Sequence, residues 1–156
     1  MNSWICRRTS RGYFDGEGCF SVSIRPRATL VAGWEVRPSV SVGQNGDRSE
    51  VLLEIQRCFS CWTLRPNRRD RTLKWEVRSL PLIVDRIVPH FRMYPLRSGK
   101  RLDFERFADI CERMARGEHR RPDGLVEIVR LAGGMNPSGT RGYPTDSILE
   151  ALEMKA

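Results

Sequence analysis

Hydrophobic and polar positions change their period in the middle of one short stretch, Gly12-Tyr13-Phe14-Asp15-Gly16-Glu17-Gly18-Cys19-Phe20. Before it the apolar residues fit a helix. After it Phe20, Val22 and Ile24 alternate with Cys19, Ser21, Ser23 and Arg25, the period of a strand with one wet face. A helix therefore hands over to a strand at Glu17-Gly18, and two carboxylates sit at the change. Gly12 and Gly16 lie four residues apart, hence on one helical face, where the absence of a Cβ lets a second helix approach closely.

The same reading carries along the chain. After a turn around Ala28 to Gly33, the series Trp34, Val36, Pro38, Val40 and Val42 predicts a second strand, with Pro38 pointing to a bulge or an edge. Asp47 and Glu50 have the spacing of a capping box, and Val51, Leu52, Ile55, Cys58 and Phe59 form a stripe at helical spacing. Trp62 and Leu64, a turn over Pro66 to Asp70, and Leu73, Trp75 and Val77 predict a second hairpin with a basic turn. Ser79 then caps a helix from Leu80 to Val88 that Pro89 ends. Two more helices follow, on Phe104, Phe107, Ala108, Cys111 and Met114, and on Leu125, Ile128, Val129 and Ala132 before Gly133-Gly134.

The resulting order is αββαββα plus further C-terminal helices, an α+β fold. Because each strand is apolar on one side only, a four-stranded antiparallel sheet with helices on one face is expected. At 156 residues and 40% hydrophobic content the chain suits one domain spanning 1–156, with 137–156 as a tail.

Charge narrows the partners. The formal net charge is +8, which favours a polyanion but does not by itself separate DNA, RNA and an acidic membrane. Most of the positive residues are arginine, whose planar fork can grip a phosphate or a guanine edge, although codon bias would produce the same excess. Five cysteines at irregular spacing, with no signal peptide, read as reduced thiols in an intracellular protein that is not secreted. Cys58 and Cys61 form a lone Cys-x-x-Cys, and neither His90 nor His119 stands at a spacing that would complete a zinc site. No run of about 18 apolar residues occurs, so no membrane span is expected.

The stretch Gly-Tyr-Phe-Asp-Gly-Glu-Gly-Cys-Phe resembles the motif of the LAGLIDADG homing endonucleases, and the αββαββα order is that of one such domain. Later phrases resemble the family as well: Trp75-Glu76-Val77, Pro89-His90-Phe91, Tyr94-Pro95-Leu96, Lys100-Arg101-Leu102-Asp103-Phe104 and Met135-Asn136. The resemblance runs from Gly12 to Asn136, and residues 1–11 match poorly. Where the family has a small apolar pair, this chain has Ser10-Arg11. Arg11 would snorkel to the rim, or the first helix begins late, or the native start lies elsewhere.

The resemblance implies a site-specific double-strand DNA endonuclease that hydrolyses phosphodiesters with Mg²⁺ or another divalent cation such as Mn²⁺. It also implies a homodimer on a long pseudo-palindromic site, encoded in an intron or an intein and working where the genome is. One motif supplies one half of a helix contact through Gly12 and Gly16, so two copies are needed to cut both strands. Glu17 occupies the position of the metal-binding acid. Asp15, two residues earlier, points about 200° away around a helix, and reads as structural or as a further site candidate. Gln44 matches by placement a residue that positions attacking water. Arg48 and Lys100 resemble the cations set around the scissile phosphate, with Arg97 and Arg101 competing for the role of Lys100.

The polar faces of the strands carry mixed donors and cations that suit base edges and phosphates: Ser23, Arg25, Arg27, Arg37, Ser39, Ser41, Arg65, Lys74 and Arg78, with Arg68 and Arg69 at a turn. Cations outnumber Glu35 and Glu76 there, and such crowding self-repels without an anionic partner. The alternative is a non-cleaving relative, either a maturase that grips intron RNA or a decayed DNA-binding protein. It would need the basic sheet but not Glu17.

Overall fold

A computed structural model describes residues 3–60, 64–67, 69 and 71–154, the side chains of 3–7, 9, 48 and 67 excepted. Trp62, Cys61, Arg68 and Asp70 lie outside the described residues. Helix α1 (Ser3–Glu17) runs directly into β1 (Gly18–Pro26), followed by β2 (Trp34–Asn45) and α2 (Glu50–Phe59). Then come β3 (Leu64–Asn67), β4 (Thr72–Val77), a third helix in three parts, α5 (Lys100–Ala115), α6 (Pro122–Gly133) and α7 (Thr145–Glu153). The four strands form one sheet in the order β1-β2-β4-β3. The predicted αββαββα order and antiparallel sheet are present.

By contacts the chain divides into two compact units, residues 1–20 with 39–101 and residues 21–38 with 102–156. The first has an aromatic core. Phe14 is fully buried, with ring centroids 4.8 Å from Phe91, 5.8 Å from Trp75, 5.9 Å from Phe20 and 6.2 Å from Phe59. These are tilted and edge-on pairs, the arrangements that aromatic quadrupoles favour. Ser10 is also fully buried, and its Oγ lies 2.9 Å from His90 Nε2. The position where the family has a small apolar residue is thus filled by a small polar one whose hydroxyl has a partner inside the chain. In the second unit Phe104, Phe107 and Ile110 of α5, Leu125 and Ile128 of α6, and Ile148 and Leu152 of α7 are buried. Arg141 closes the end of α6, donating to the carbonyl oxygens of Ala132 and Met135.

Several local expectations give way to other physics. Asp47 does not open α2: it lies in a 3₁₀ turn (Gly46–Arg48), and the N-cap is Ser49, which makes no side-chain cap bond. Pro38 is on neither an edge strand nor an exposed bulge. It is buried in β2, two residues before the ladder to β4 begins at Val40↔Val77, so its missing N–H falls outside that ladder. Pro66 and Asn67 belong to strand β3, paired with Leu73 and Thr72, which leaves a shorter turn than predicted. The first helix starts at Ser3, so it does not begin late.

Pro89 does not end the third helix. An α-turn (α3, Leu80–Leu82) leads into a π-helical stretch, Ile83–Ile87, and then into α4 (Val88–Met93), which carries Pro89 within its first turn. A proline lacks the N–H for an α-type bond and its ring crowds the preceding turn, and the wider π turn makes room for the ring. Ser79 stands at the N-cap without a side-chain bond. Cys58 is disulfide-bonded, against the expectation of reduced thiols throughout, while Cys19 and Cys111 are free. The stretch read as a tail contains α7. Pro144 opens it, Asp146 lies in its first turn, and Ile148 and Leu152 share a buried face four residues apart.

Gly18 is the tightest point of the junction. A Cβ there would stand 2.6 Å from Phe14 O and 2.7 Å from Phe14 Cα, whereas at Gly12 and Gly16 it would meet nothing within 4 Å among the described residues. Gly18→Ala is therefore expected to lower the unfolding free energy by about 1–3 kcal/mol. Gly12→Ala should leave it unchanged or slightly raised, since alanine favours the helix. Urea unfolding of the two variants checks this.

Candidate active site at the end of the first helix

Burial of Phe14 fixes the phase of the last helical turn. Its neighbours Tyr13, Gly16 and Glu17 consequently face out, and all three are exposed. They line an open cleft of about 490 Å³ together with Arg8, Gly12 and Gln44. Glu17 and Gln44, placed far apart in sequence, are thus brought into one cleft by the return of β2 to the end of α1. Arg8 and Tyr13 were not singled out from the sequence. The signal for Arg8 was present, because 8, 12 and 16 repeat at the spacing of one helical face.

Asp15 turns the other way. Its carboxylate accepts from the backbone N–H of Arg97 at 3.0 and 3.1 Å and from that of Ser98 at 2.9 Å, tying α1 to the segment before α5. Partial burial pushes the Asp15 carboxyl up, but the Ser98 and Arg97 bonds and the nearby Arg11 charge outweigh it and hold it below its ordinary value. Arg11 is half-buried beside Asp15 in charge terms, and it is Arg8 that lines the cleft with Gly12 and Gly16.

Lys100 Nζ donates to the carbonyl oxygen of Gly16 at 2.6 Å, a cation at the C-terminal end of a helix where the peptide dipoles favour it. The ammonium is thereby anchored one residue from Glu17. Arg97 and Arg101 are exposed on either side of it. Arg48 ends the 3₁₀ turn after β2, and its side chain lies outside the described residues.

Among the described residues no three His, Cys, Asp or Glu side chains gather into a metal-holding group. Glu17 offers one exposed carboxylate with the Gln44 amide in the same cleft. This hard-oxygen donor set fits Mg²⁺ when water and the oxygens of a bound phosphate complete the shell.

On the sheet, Ser23, Arg25, Arg65, Lys74 and Arg78 are exposed, as is Arg69 in the β3–β4 turn. Arg65 pairs with Lys74 across β3 and β4. Arg27 and Arg37 are exposed and grip Glu35 at 2.5 and 2.7 Å. Ser39 is half-buried against Glu76 at 3.0 Å. Ser41 lies on the same face of the sheet as Glu76, its partner across the β2–β4 pair, and both are only 5% exposed.

The chain belongs to the LAGLIDADG endonuclease family, whose profile matches residues 11–111. It is 29% identical to the DNA endonuclease I-CvuI of Chlorella vulgaris over 91% of this chain and 86% of that one. Among solved structures it is similar to the homing endonuclease I-TnaI, with 29% identity, a TM-score of 0.82, and 96% and 97% of the two chains covered. It is also similar to I-LtrWI bound to its target DNA, with 30% identity and a TM-score of 0.85, over 90% of this chain and 47% of that one. It spans only 28% of the "Probable intron-encoded endonuclease 2" of Neurospora crassa, to which it is 29% identical. Among the described residues no helix is long and apolar enough to cross a membrane.

A carboxyl held low in the folded chain stabilises it above the carboxyl's ordinary pKa, and that contribution is lost as pH falls through the lowered value. Asp15→Asn is expected to cost about 1–2 kcal/mol at neutral pH, where the charged acceptor is replaced by a neutral one. The cost should shrink toward zero in acid. Thermal melts of both proteins from pH 7 down to pH 3 measure it.

Proposed function

We propose that the chain is a site-specific DNA endonuclease that acts as a homodimer and depends on a divalent metal ion. The observation that carries this reading is the exposed face of α1. Gly12, Gly16 and Glu17 open onto one cleft, and a Cβ at either glycine would meet nothing within 4 Å among the described residues. An apposed copy of the same helix would bring two Glu17 carboxylates near a two-fold axis. Glu17 would hold the metal ion with Gln44 beside it. Bound there, such an ion supplies charge neutralisation at the phosphate and a more acidic water.

The chain's own groups contribute the rest. Gln44 can orient a water by its amide, and Lys100, anchored on Gly16 O, sets a positive charge beside the acid where charge on a phosphoryl group would develop. The exposed cations of the strands would meet DNA phosphates and base edges, each phosphate contact releasing counterions. Binding to DNA in the solved structure of I-LtrWI supports the choice of duplex DNA over intron RNA.

Glu17→Gln should abolish cleavage of a plasmid carrying the DNA that flanks the gene, while affinity for the same DNA stays within a few fold. The plasmid is assayed with Mg²⁺, with Mn²⁺ and with EDTA. A variant that still cuts would remove Glu17 from the reaction, and binding without cutting by the wild type would favour the non-cleaving alternative.

Gly16→Leu separates the homodimer from the fold. Among the described residues a Cβ at this position would meet nothing within 4 Å, so the monomer should keep or slightly gain stability. Close approach of a second helix is blocked, so sedimentation should show loss of the dimer on DNA, and double-strand cutting should become nicking or cease. Wild-type protein that stays monomeric on DNA would refute the homodimer.

A further inference from the structure

Glu76 is more deeply buried than Glu35, the other carboxylate on the described strands. It stands on β4 between Trp75 and Val77, on the polar side of the strand, yet it is 5% exposed. Three side chains hold it. Ser39 Oγ donates to Oε1 at 3.0 Å, Lys74 Nζ donates to the same oxygen at 3.2 Å, and Arg78 brings its Nε to 3.1 Å from Oε2 and a terminal nitrogen to 3.3 Å from Oε1. Burial pushes its carboxyl up, but the Ser39 and Lys74 bonds and the charges of Lys74 and Arg78 more than offset that, leaving it ionised below its ordinary range.

The geometry follows from strand periodicity. Residues 74, 76 and 78 point the same way, so the carboxylate lies between two cations on one face. Those cations remain open to the outside, their side chains 47% and 59% exposed. Lysine has three donors and arginine five, so each keeps donors to spare after binding Glu76. Glu76 itself is too buried to reach a base edge. It can act on DNA only through Lys74 and Arg78.

We infer that Glu76 is a positioning residue of the DNA-reading face, clamping Lys74 and Arg78 so that their remaining donors meet a fixed block of base pairs. The inference rests on the DNA-binding reading above. A free lysine or arginine samples many rotamers and finds phosphates anywhere. One whose inner donors are already committed has lost that freedom before DNA arrives, and binding need not order it again. The clamp therefore trades indiscriminate phosphate attraction for contacts at a defined place. From Lys74 to Arg78 the strand advances about 14 Å, which corresponds to roughly four base pairs of duplex at about 3.4 Å each.

Glu76→Gln keeps the shape and an acceptor for Ser39 but removes the charge that holds both cations. Wild-type and variant proteins are used to select sequences from a randomised duplex DNA library, and their melting temperatures are recorded. The variant should enrich the wild-type motif with preference lost over a block of about two to four adjacent base pairs in each half-site. Its preference for the selected site over random duplex should fall about tenfold, one contact's worth of discrimination. A motif unchanged at every position, or weakened evenly along its length with the melting temperature, would overturn the inference and leave Glu76 a structural ion pair. Failure of the wild type to enrich any motif would instead overturn the DNA-binding reading, and this inference with it. Arg78→Met, with Glu76 intact, gives a second arm should Glu76→Gln not fold. It must erase part of a single block of base pairs in each half-site, and loss elsewhere or nowhere counts against the clamp.

Discussion

Phe14 is the residue on which the first unit turns. Its ring meets those of Phe20, Phe59, Trp75 and Phe91, so it touches the strand that follows its own helix, the next helix, the fourth strand and the third helix at once. Interiors packed this closely tolerate little rotation of a contributing helix. The direction of every other residue in the last turn of α1 is set by that one burial. Asp15 and Glu17 are its immediate consequences, one turned to the backbone of Arg97 and Ser98 and one turned to the cleft.

Three acids illustrate how environment assigns roles to one functional group. Asp15 accepts three backbone bonds and becomes a tether. Glu17 is exposed in an open cleft and keeps its lone pairs for what enters it. Glu76 is surrounded by a hydroxyl and two cations and becomes the centre of a small ionic network. Both oxygens of this little-exposed carboxylate are satisfied, and each partner lost would leave part of its charge less well met.

Periodicity alone revealed most of the fold. The change from helix to strand at Glu17-Gly18, both hairpins and the stripes of α2, α5 and α6 follow from where apolar residues fall. What escaped it depends on competition between local rules. Asp47 and Glu50 have the spacing of a cap, but a 3₁₀ turn forms first and Ser49 takes the cap. Pro89 reads as a stop, and a wider helical turn absorbs it. Glu76 and Ser41, partners across the β2–β4 ladder, are polar at outward positions and still buried, Glu76 under the side chains of Lys74 and Arg78, which no period-2 pattern records. In the candidate site, the motif made Glu17 conspicuous and its helical phase separated Asp15 from it. The pairing of Glu17 with Gln44, and the anchoring of Lys100 on Gly16, required strands and loops far apart in sequence to return to one place.

The π-helical stretch from Ile83 to Ile87 has a consequence for how this chain tolerates change in length. A π turn is an α-helix with one residue too many, taken up as a local widening that leaves the helix on either side α-helical. Removing one residue there would close the wide turn and set Pro89 inside regular α-helical bonding, where its ring clashes with the carbonyl one turn back and kinks the helix. Phe91 would leave its place 4.8 Å from Phe14, and with it the last turn of α1 would lose one wall of its socket. In the lineage of this chain a single-codon deletion in that helix is therefore a more severe event than many substitutions, and its natural compensation is loss of the proline at 89.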